Sequence, residues 1–263
     1  MKIVVCMKQV VDLAQIRYLS DRRTPVLKGL PVLLGQFEKH ALEEAVQIKE
    51  SREGVQVVAL ATGGGGKLKE SIKEALAIGA DEAVIVVDPA LDGSDAAGSA
   101  QVLAAAIEKL GDVDLIMLGE GSDDEYSGQI PSRLAALLDL PQITYVRSLD
   151  IRDGNARATR DLEKDLEIVE CELPVVISVT SELNVPRLPP LTAILKAGRK
   201  PLHEWTLDDL GLTEEQVGLD AAKIEVFSNL APAQDRKNVT FDGDLDEQLG
   251  ALLQALEHDG VIL

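Results

Sequence analysis

Residues 114–138 read DLIMLGEGSDDEYSGQIPSRLAALL: a short apolar run, a loop of glycines and acids, then an amphipathic stretch. Val113, Leu115, Ile116, Met117 and Leu118 are too few for a helix. An apolar run without polar alternation suits a strand of a parallel sheet covered on both faces. Gly119 and Gly121 predict positive φ and close backbone approach, and Ser127, Gly128 and Gln129 open a helix with Pro131 in its first turn. Backbone N–H groups at that point face the carboxyl end of the strand, where open α/β sheets hold their ligands. A nucleotide phosphate would fit there, but ordinary turn chemistry produces the same pattern. Asp123, Asp124 and Glu125 repel a phosphate if they point at it. Turned away, they accept hydrogen bonds from backbone N–H groups, and an Asp also reads a ribose hydroxyl. Spacing leaves both readings open.

Upstream, residues 2–6 (KIVVC) predict a first buried strand, and residues 19–35, with Pro25, Gly29, Pro31 and Gly35, an irregular excursion. Residues 38–50 (EKHALEEAVQIKE) set Ala41, Leu42, Ala45, Val46 and Ile48 on one side of a helix. A second strand over 55–61 (VQVVALA) runs into Thr62 and the glycines 63, 64, 65 and 66, and Leu68, Ile72, Ala75 and Leu76 recur at helical spacing. The glycines admit a ligand or form a loose turn; they match neither GxGxxG nor a P-loop. Residues 83–87 (AVIVV) predict a third strand, and Ala100, Leu103, Ile107 and Leu110 mark the face of a third helix over 94–110.

Downstream, residues 143–146, 148–151, 156–160 and 166–171 are short alternating runs, with Asp153-Gly154-Asn155 as a hairpin turn signal, and 173–179 (LPVVISV) is a returning buried strand. Four strand and helix repeats, a ribbon and a returning strand predict the α/β class: a doubly wound, mostly parallel sheet with an antiparallel β-ribbon and an extended C-terminal tail. Residues 1–181 form the expected core and 182–203 a protruding segment, since Pro186, Pro189 and Pro190 oppose regular structure. Leu188, Leu191, Ile194 and Leu195 are too apolar for a free linker, and basic residues flank them. They either fold onto the parent core or form a docking anchor with a polar rim, which their make-up resembles. Residues 204–263 form the tail, with a last helix near 245–258.

The chain has 263 residues and a net charge of −19, from 45 acids against 26 bases, which opposes nucleic-acid binding by phosphate neutralisation. Aromatic residues at 3% supply stacking platforms for single strands poorly. Cys6 and Cys171 suit reduced, buried thiols of a cytoplasmic protein. No 18-residue apolar run is present, so no membrane insertion is expected. His40, His203 and His258 are scattered without neighbouring ligands, so no metal site is expected.

Six motifs in order carry a resemblance: KIVVCMKQVVD, FEKHALEEAVQIKE, KESIKEALAIGADEA, the loop of residues 114–138, RATRDLEKDLEIVECELPVVISVT, and LNVPRLPPLTAILKAGRKP with LDDLGL after it. Together, over residues 1–212, they resemble the β subunit of the electron-transfer flavoproteins. The resemblance implies an adenine-nucleotide-hydrolase-like fold and a heterodimer whose α subunit carries a redox-active FAD, with the tail packed on that subunit. It implies AMP in this chain, without a redox role. The positions matching the nucleotide site are Cys6, Gly35, Gln36, Phe37, Glu38, Gly63, Gly121, Ser122, Asp123, Asp124, Ser127, Gly128, Gln129 and Ile130, and Phe37 also matches the face turned to the α subunit's flavin. Leu191, followed by Lys196 and Arg199, matches the loop that docks a flavin dehydrogenase such as an acyl-CoA dehydrogenase of fatty acid β-oxidation. Electrons would then pass to a quinone oxidoreductase, and this chain would be a carrier subunit with no catalytic residue of its own.

Two departures stand out. Gly35-Gln36 replaces the family's usual Asn-Pro, and the nucleotide loop lacks the usual Gln-Ala before its acids. In electron-bifurcating relatives a second FAD takes the AMP site and the NADH-oxidising complex serves two acceptors. Their loop carries Asp-Gly-Asp-Thr, which Asp123-Asp124-Glu125-Tyr126 does not match, so AMP is the favoured ligand and a second FAD the alternative.

Overall fold

The computed structural model describes every residue except Gly66, Gln234, Asp235 and Leu263, so the last glycine of the 63–66 loop and three positions of the tail lie outside the described residues. One unit comprises residues 1–17 and 26–228, and a second comprises residues 18–25 and 229–263.

The first unit is built on a nine-stranded sheet. Its strands are β1 (Lys2–Met7), β2 (Gln56–Gly63), β3 (Glu82–Val87), β4 (Leu115–Gly119), β5 (Gln142–Arg152), β6 (Asn155–Asp161), β7 (Leu166–Glu172), β8 (Val175–Val179) and β9 (Leu202–Trp205), in the spatial order β7-β6-β5-β8-β4-β1-β2-β3-β9. From β5 to β9 every pairing is parallel, and β6 and β7 add the antiparallel ribbon at one edge. The fold class expected from the sequence is the one observed. The stretch over residues 114–138 supplies a central strand, with β1 on one side and β8 on the other.

Alternation along the strands sorts side chains between two apolar layers. Ile3, Val5 and Met7 of β1, with Leu115 and Met117 of β4, face α1 (Gln36–Ser51) and α2 (Leu68–Ile78), where Leu42, Val46, Ile72 and Leu76 are buried. Val4, Cys6, Ile116 and Leu118 face α3 (Ala96–Leu110) and α4 (Ile130–Leu137), where Val102, Ala106, Ile107 and Leu134 are buried. Both faces are therefore covered, which explains why the parallel strands read as unbroken apolar runs. The ribbon turns at Asp153 and Gly154, both at positive φ (49° and 78°), as a two-residue hairpin requires.

Three local features depart from the sequence reading. Residues 143–151 lie in one irregular strand, not two, and register shifts where β5 meets β6 and β8 absorb the break. The prolines near 190 do not exclude helix: Pro190 caps α5 (Leu191–Ala197), consistent with proline lacking only an N–H that a helix start leaves unused. Strand β9, across residues placed in the protruding segment and the tail, extends the sheet beside β3, with Leu202 opposite Ala83 and Trp205 opposite Val86. In its Leu-His-Glu-Trp sequence the two apolar residues stand three apart and so face opposite layers, Leu202 that of α1 and α2 and Trp205 that of α3, and no alternation marks the strand. Beyond it, Leu207 and Val217 join the layer of α3, and the carbonyl of Val217 stands where a Cβ on Gly98 would be. The excursion before α1 closes through an antiparallel pairing of Gln9–Val11 with Val32–Leu34.

In the second unit, α6 (Leu245–His258) starts at a capping box in which Asp244 accepts the N–H groups of Asp246 and Glu247, and the Glu247 carboxylate accepts that of Asp244. Leu245, Leu249, Leu252 and Leu253 form an exposed stripe on this helix. No described helix is long and apolar enough to cross a membrane.

Candidate functional site

The chain lays β2 and β3 to one side of β1 and then crosses to place β4 on the other. The loops leaving β1 and β4 thus diverge, and a crevice opens at their carboxyl ends. A cavity lies there, walled by Cys6 and Lys8 after β1, Thr62 at the end of β2, and Glu120, Gly121 and Ser122 after β4. The starts of α3 and α4 and the Glu38 side chain complete it.

The two helix starts differ. Asp95 caps α3, accepting the N–H groups of Ala97 (2.8 Å) and Gly98 (3.0 Å) and, from a later segment, that of Lys223 (2.8 Å). Burial disfavours its charge, but these three donors outweigh it and hold the carboxyl below its ordinary range. Helix α4 has no side-chain cap, and the N–H groups of Ser127, Gly128 and Gln129 meet no acceptor among the described residues. All three residues line the cavity. The free donors therefore belong to α4, at the positive end of its dipole, and an anion fits there rather than at α3.

The acids of the loop are all engaged. Asp123 accepts the N–H of Gln36 at 2.7 Å, tying the loop to the start of α1. Asp124 takes Lys8 Nζ at 2.7 Å, the Ser122 hydroxyl at 2.7 Å and the N–H of Glu125, while Glu125 lies 3.2 Å from the same ammonium. Burial pulls the Lys8 ammonium down, yet Asp124 and Glu125 outweigh it and hold it above its ordinary value. Burial likewise raises Asp124, and Lys8 and Ser122 bring it below. Tyr126 donates its hydroxyl to Glu120 at 2.9 Å. Carboxylates held in this way leave the α4 end of the cavity to backbone donors.

Positive φ falls at Tyr126 (47°) and Gly128 (64°), not at Gly119 and Gly121 as expected. The latter two are needed for close approach instead. A Cβ on Gly119 would stand 2.5 Å from Phe37 Cβ, and one on Gly121 2.6 Å from the Tyr126 ring. Phe37 and Tyr126 in turn pack with ring centroids 5.4 Å apart.

Of the positions singled out in the sequence, Cys6, Glu38, Gly121, Ser122, Ser127, Gly128, Gln129 and Ile130 line the cavity. Gly35, Gln36, Phe37, Gly63, Asp123 and Asp124 are not among the residues that line it. A side chain on Gly35 would collide with the Glu38 carboxylate, and Gly63 has open space around it, with only Leu68 at 3.9 Å. Burial pushes the Cys6 thiol up to about 12, so it stays protonated and serves as wall. Sequence reasoning missed Lys8, Thr62, Ser94, Asp95, Ser99 and Glu120. Thr62 and Glu120 stand at strand ends beside residues already singled out, and the Ser-Asp pair before α3 was legible as a cap.

The protruding segment is fastened to α1. Arg187 donates to Glu43 (2.8 Å) and to Glu50 (2.6 Å), and the Asn184 amide donates to the carbonyl of His40 (3.1 Å) and to Glu44 (3.1 Å). Beyond that attachment Val185, Leu188, Leu191 and Leu195 are exposed, Leu188 at 93% and Leu191 at 71%. Lys196 and Arg199 follow at the end of α5, the Arg199 N–H closing on the Lys196 carbonyl at 3.0 Å.

Comparison with known proteins gives one consistent result. Residues 31–210 match the family model described as electron transfer flavoprotein domain. The chain is 34% identical to an electron transfer flavoprotein subunit beta of Thermoanaerobacterium thermosaccharolyticum, over the whole of both chains. It is 33% identical, again over both chains entire, to the caffeyl-CoA reductase-Etf complex subunit CarD of Acetobacterium woodii. With an electron transfer flavoprotein subunit beta of Bacillus subtilis it shares 34% identity, covering 89% of this chain and 90% of that one.

Proposed function

The chain belongs to the electron transfer flavoprotein β-subunit family, and on that premise we propose that it is an electron-carrier subunit whose cavity holds AMP as a structural ligand. The observation that carries this reading is the pairing of an uncapped α4 start with a loop whose acids are all turned to other partners. Backbone donors from Ser127, Gly128 and Gln129 would take the phosphate. Cys6 and Leu118 supply apolar wall. Bound in this way, the nucleotide would join α1, the β4 loop and α4 into one rigid face.

That face would support an α subunit carrying the redox-active FAD, with Phe37 toward the flavin and residues 229–263, including the leucine stripe of α6, laid against the same subunit; the expected tail is shortened, because residues 204 and 205 lie in β9 and Leu207 and Val217 in the layer of α3. FAD supplies the one- and two-electron chemistry; the residues of this chain shape and shield its site. The segment around Leu191, with Lys196 and Arg199, would dock a flavin dehydrogenase of the acyl-CoA type, from which electrons go on to a quinone oxidoreductase, with a cytoplasmic location. Fastening to α1 through Arg187 and Asn184 supports this, because it presents the apolar tip with little ordering cost.

A second reading has one observation in its favour, the likeness to a subunit named for a caffeyl-CoA reductase-Etf complex. In it the cavity takes a second FAD and the chain works in an NADH-oxidising, bifurcating complex. Mass spectrometry of the small molecules released from the purified heterodimer separates the two. AMP with one FAD per heterodimer supports the first, two FAD without AMP the second, and neither nucleotide refutes both.

A further inference from the structure

His40, Glu43, Glu44, Gln47 and Glu50 recur at helical spacing on one face of α1. A polar helix face is ordinarily left to water, yet Glu43 is 3% exposed. The start of the protruding segment covers it. Arg187 donates to Glu43 from its backbone N–H (3.1 Å), from Nε (2.8 Å) and from one Nη (3.0 Å), and to Glu50 from both Nη atoms (2.6 and 2.9 Å). Burial raises the Glu43 carboxyl, but hydrogen bonds from Arg187 and Gln47 outweigh it and hold it below its ordinary range. On one side of the segment Leu183 is partly buried against the core, and on the other Ala197 is buried. No residue from 184 to 196 is buried. Hydrogen bonds to α1, and not apolar packing, therefore set the course of this stretch as far as Leu191.

The chain after Arg187 is stiff. Leu188 precedes a proline, Pro189 is itself followed by one, and Pro190 caps α5, so none of the three has its ordinary backbone freedom. An orientation fixed at Arg187 is carried with little loss to Leu191. We propose, resting on the reading of this segment as a docking loop, that Arg187, gripped by Glu43 and Glu50, is its positioning residue. It holds Leu188 and Leu191 in the arrangement that a flavin dehydrogenase engages. Where only a fraction of molecules presents the competent arrangement, apparent affinity falls by that fraction. Loss of the grip thus weakens docking while the apolar tip keeps every side chain. Lysine is a poor substitute, because its point charge does not match two carboxylates as the planar guanidinium fork does.

The test is steady-state reduction of the intact heterodimer by an acyl-CoA dehydrogenase supplied with its acyl-CoA, with the heterodimer as the varied substrate. Arg187→Ala is expected to raise KM about fivefold or more and to move kcat by less than about twofold. Arg187→Lys should fall between wild type and Arg187→Ala. Glu50→Arg sets a like charge beside Arg187 at a side chain 57% exposed, leaves the core alone, and should raise KM about threefold. It carries the decision if Arg187→Ala fails to fold. In a Leu191→Ala background, where the anchor to be positioned is gone, either change should move KM by less than about twofold. An equal rise in both backgrounds overturns the inference, as does a loss confined to kcat. KM unmoved by Arg187→Ala and Glu50→Arg, but raised by Leu191→Ala, overturns it while the docking reading stands. KM unmoved by Leu191→Ala refutes the docking reading and this inference with it.

Discussion

Replacing Glu38 by Gln in the nucleotide-free chain is expected to stabilise it at pH 8 but not at pH 5. Burial, with Asp123 adding to it, pushes the Glu38 carboxyl from 4.5 up to about 7. A carboxyl that holds its proton more tightly in the native state than in the unfolded chain favours folding most at low pH. Stability is lost as pH climbs from 4.5 to about 7, and the full deficit persists above that. At about 1.4 kcal/mol per pH unit the deficit amounts to roughly 3 kcal/mol, and with the side chain 5% exposed, solvent does little to screen it. Gln keeps the shape without the charge. Its amide brings N–H donors of its own to a site without an assigned acceptor, costing about 1–2 kcal/mol at every pH. The variant should therefore equal or trail wild type at pH 5 and exceed it by about 1–2 kcal/mol at pH 8.

For a chain of this size 1 kcal/mol moves the melting temperature by about 2–4 °C, so the difference at pH 8 is several degrees. Thermal melts of both full-length proteins at pH 5, 6, 7 and 8 measure it directly. Only the change in the difference between pH 5 and pH 8 bears on the argument, because the amide's own cost does not vary with pH. Parallel melting profiles, with a constant offset, would refute the claim that this carboxyl is ionised against its surroundings.

Leu191→Ala, at an exposed apolar tip, should leave stability and flavin content unchanged and slow electron transfer from a partner dehydrogenase, with loss of about 2 kcal/mol of docking; stopped-flow flavin reduction reads the rate. Gly128→Val places a β-branched residue at φ 64°. The strain of about 1–3 kcal/mol should lower the nucleotide retained through purification, measured after acid release. Its Cβ would meet the Glu120 carbonyl at 3.5 Å, ordinary contact, so backbone strain and not collision is the cause. Arg187→Ala leaves Glu43, 3% exposed, without its cation. Since the Arg187 side chain is itself 32% exposed, the loss should be about 1–2 kcal/mol, seen as faster limited proteolysis between residues 184 and 191.

Wherever backbone chemistry dominates, the sequence was legible. The apolar runs at residues 2–6, 55–61 and 115–118 suit strands of a parallel sheet covered on both faces, and Asp153-Gly154 reads as a hairpin because two successive residues at positive φ admit few others. Strand β9 escaped because it is a four-residue edge strand with one neighbour, in which Leu202 and Trp205 face opposite layers and no alternation appears. Helix α5 escaped for a different reason. Proline breaks a helix from within, but immediately before one, as Pro190 stands, it is a start signal.

The acids of the β4 loop show where local reading ends. Side by side in the chain, Asp123, Asp124 and Glu125 are three like charges, and their spacing cannot say whether they face a phosphate or avoid it. Their partners come from elsewhere: Lys8 from the end of β1, 116 positions before Asp124, and the N–H of Gln36 from the start of α1. Only the crossing from β3 to β4 brings those groups beside the loop. The same crossing brings Glu38 and Thr62 to one cavity, so the polarity of the site, donors at α4 and acceptors opposite, is a property of strand order and not of any motif. Removing Lys8, which lies within the first of the six family motifs, would release two carboxylates toward the free N–H groups of α4. The site would then accept its own loop in place of an anion.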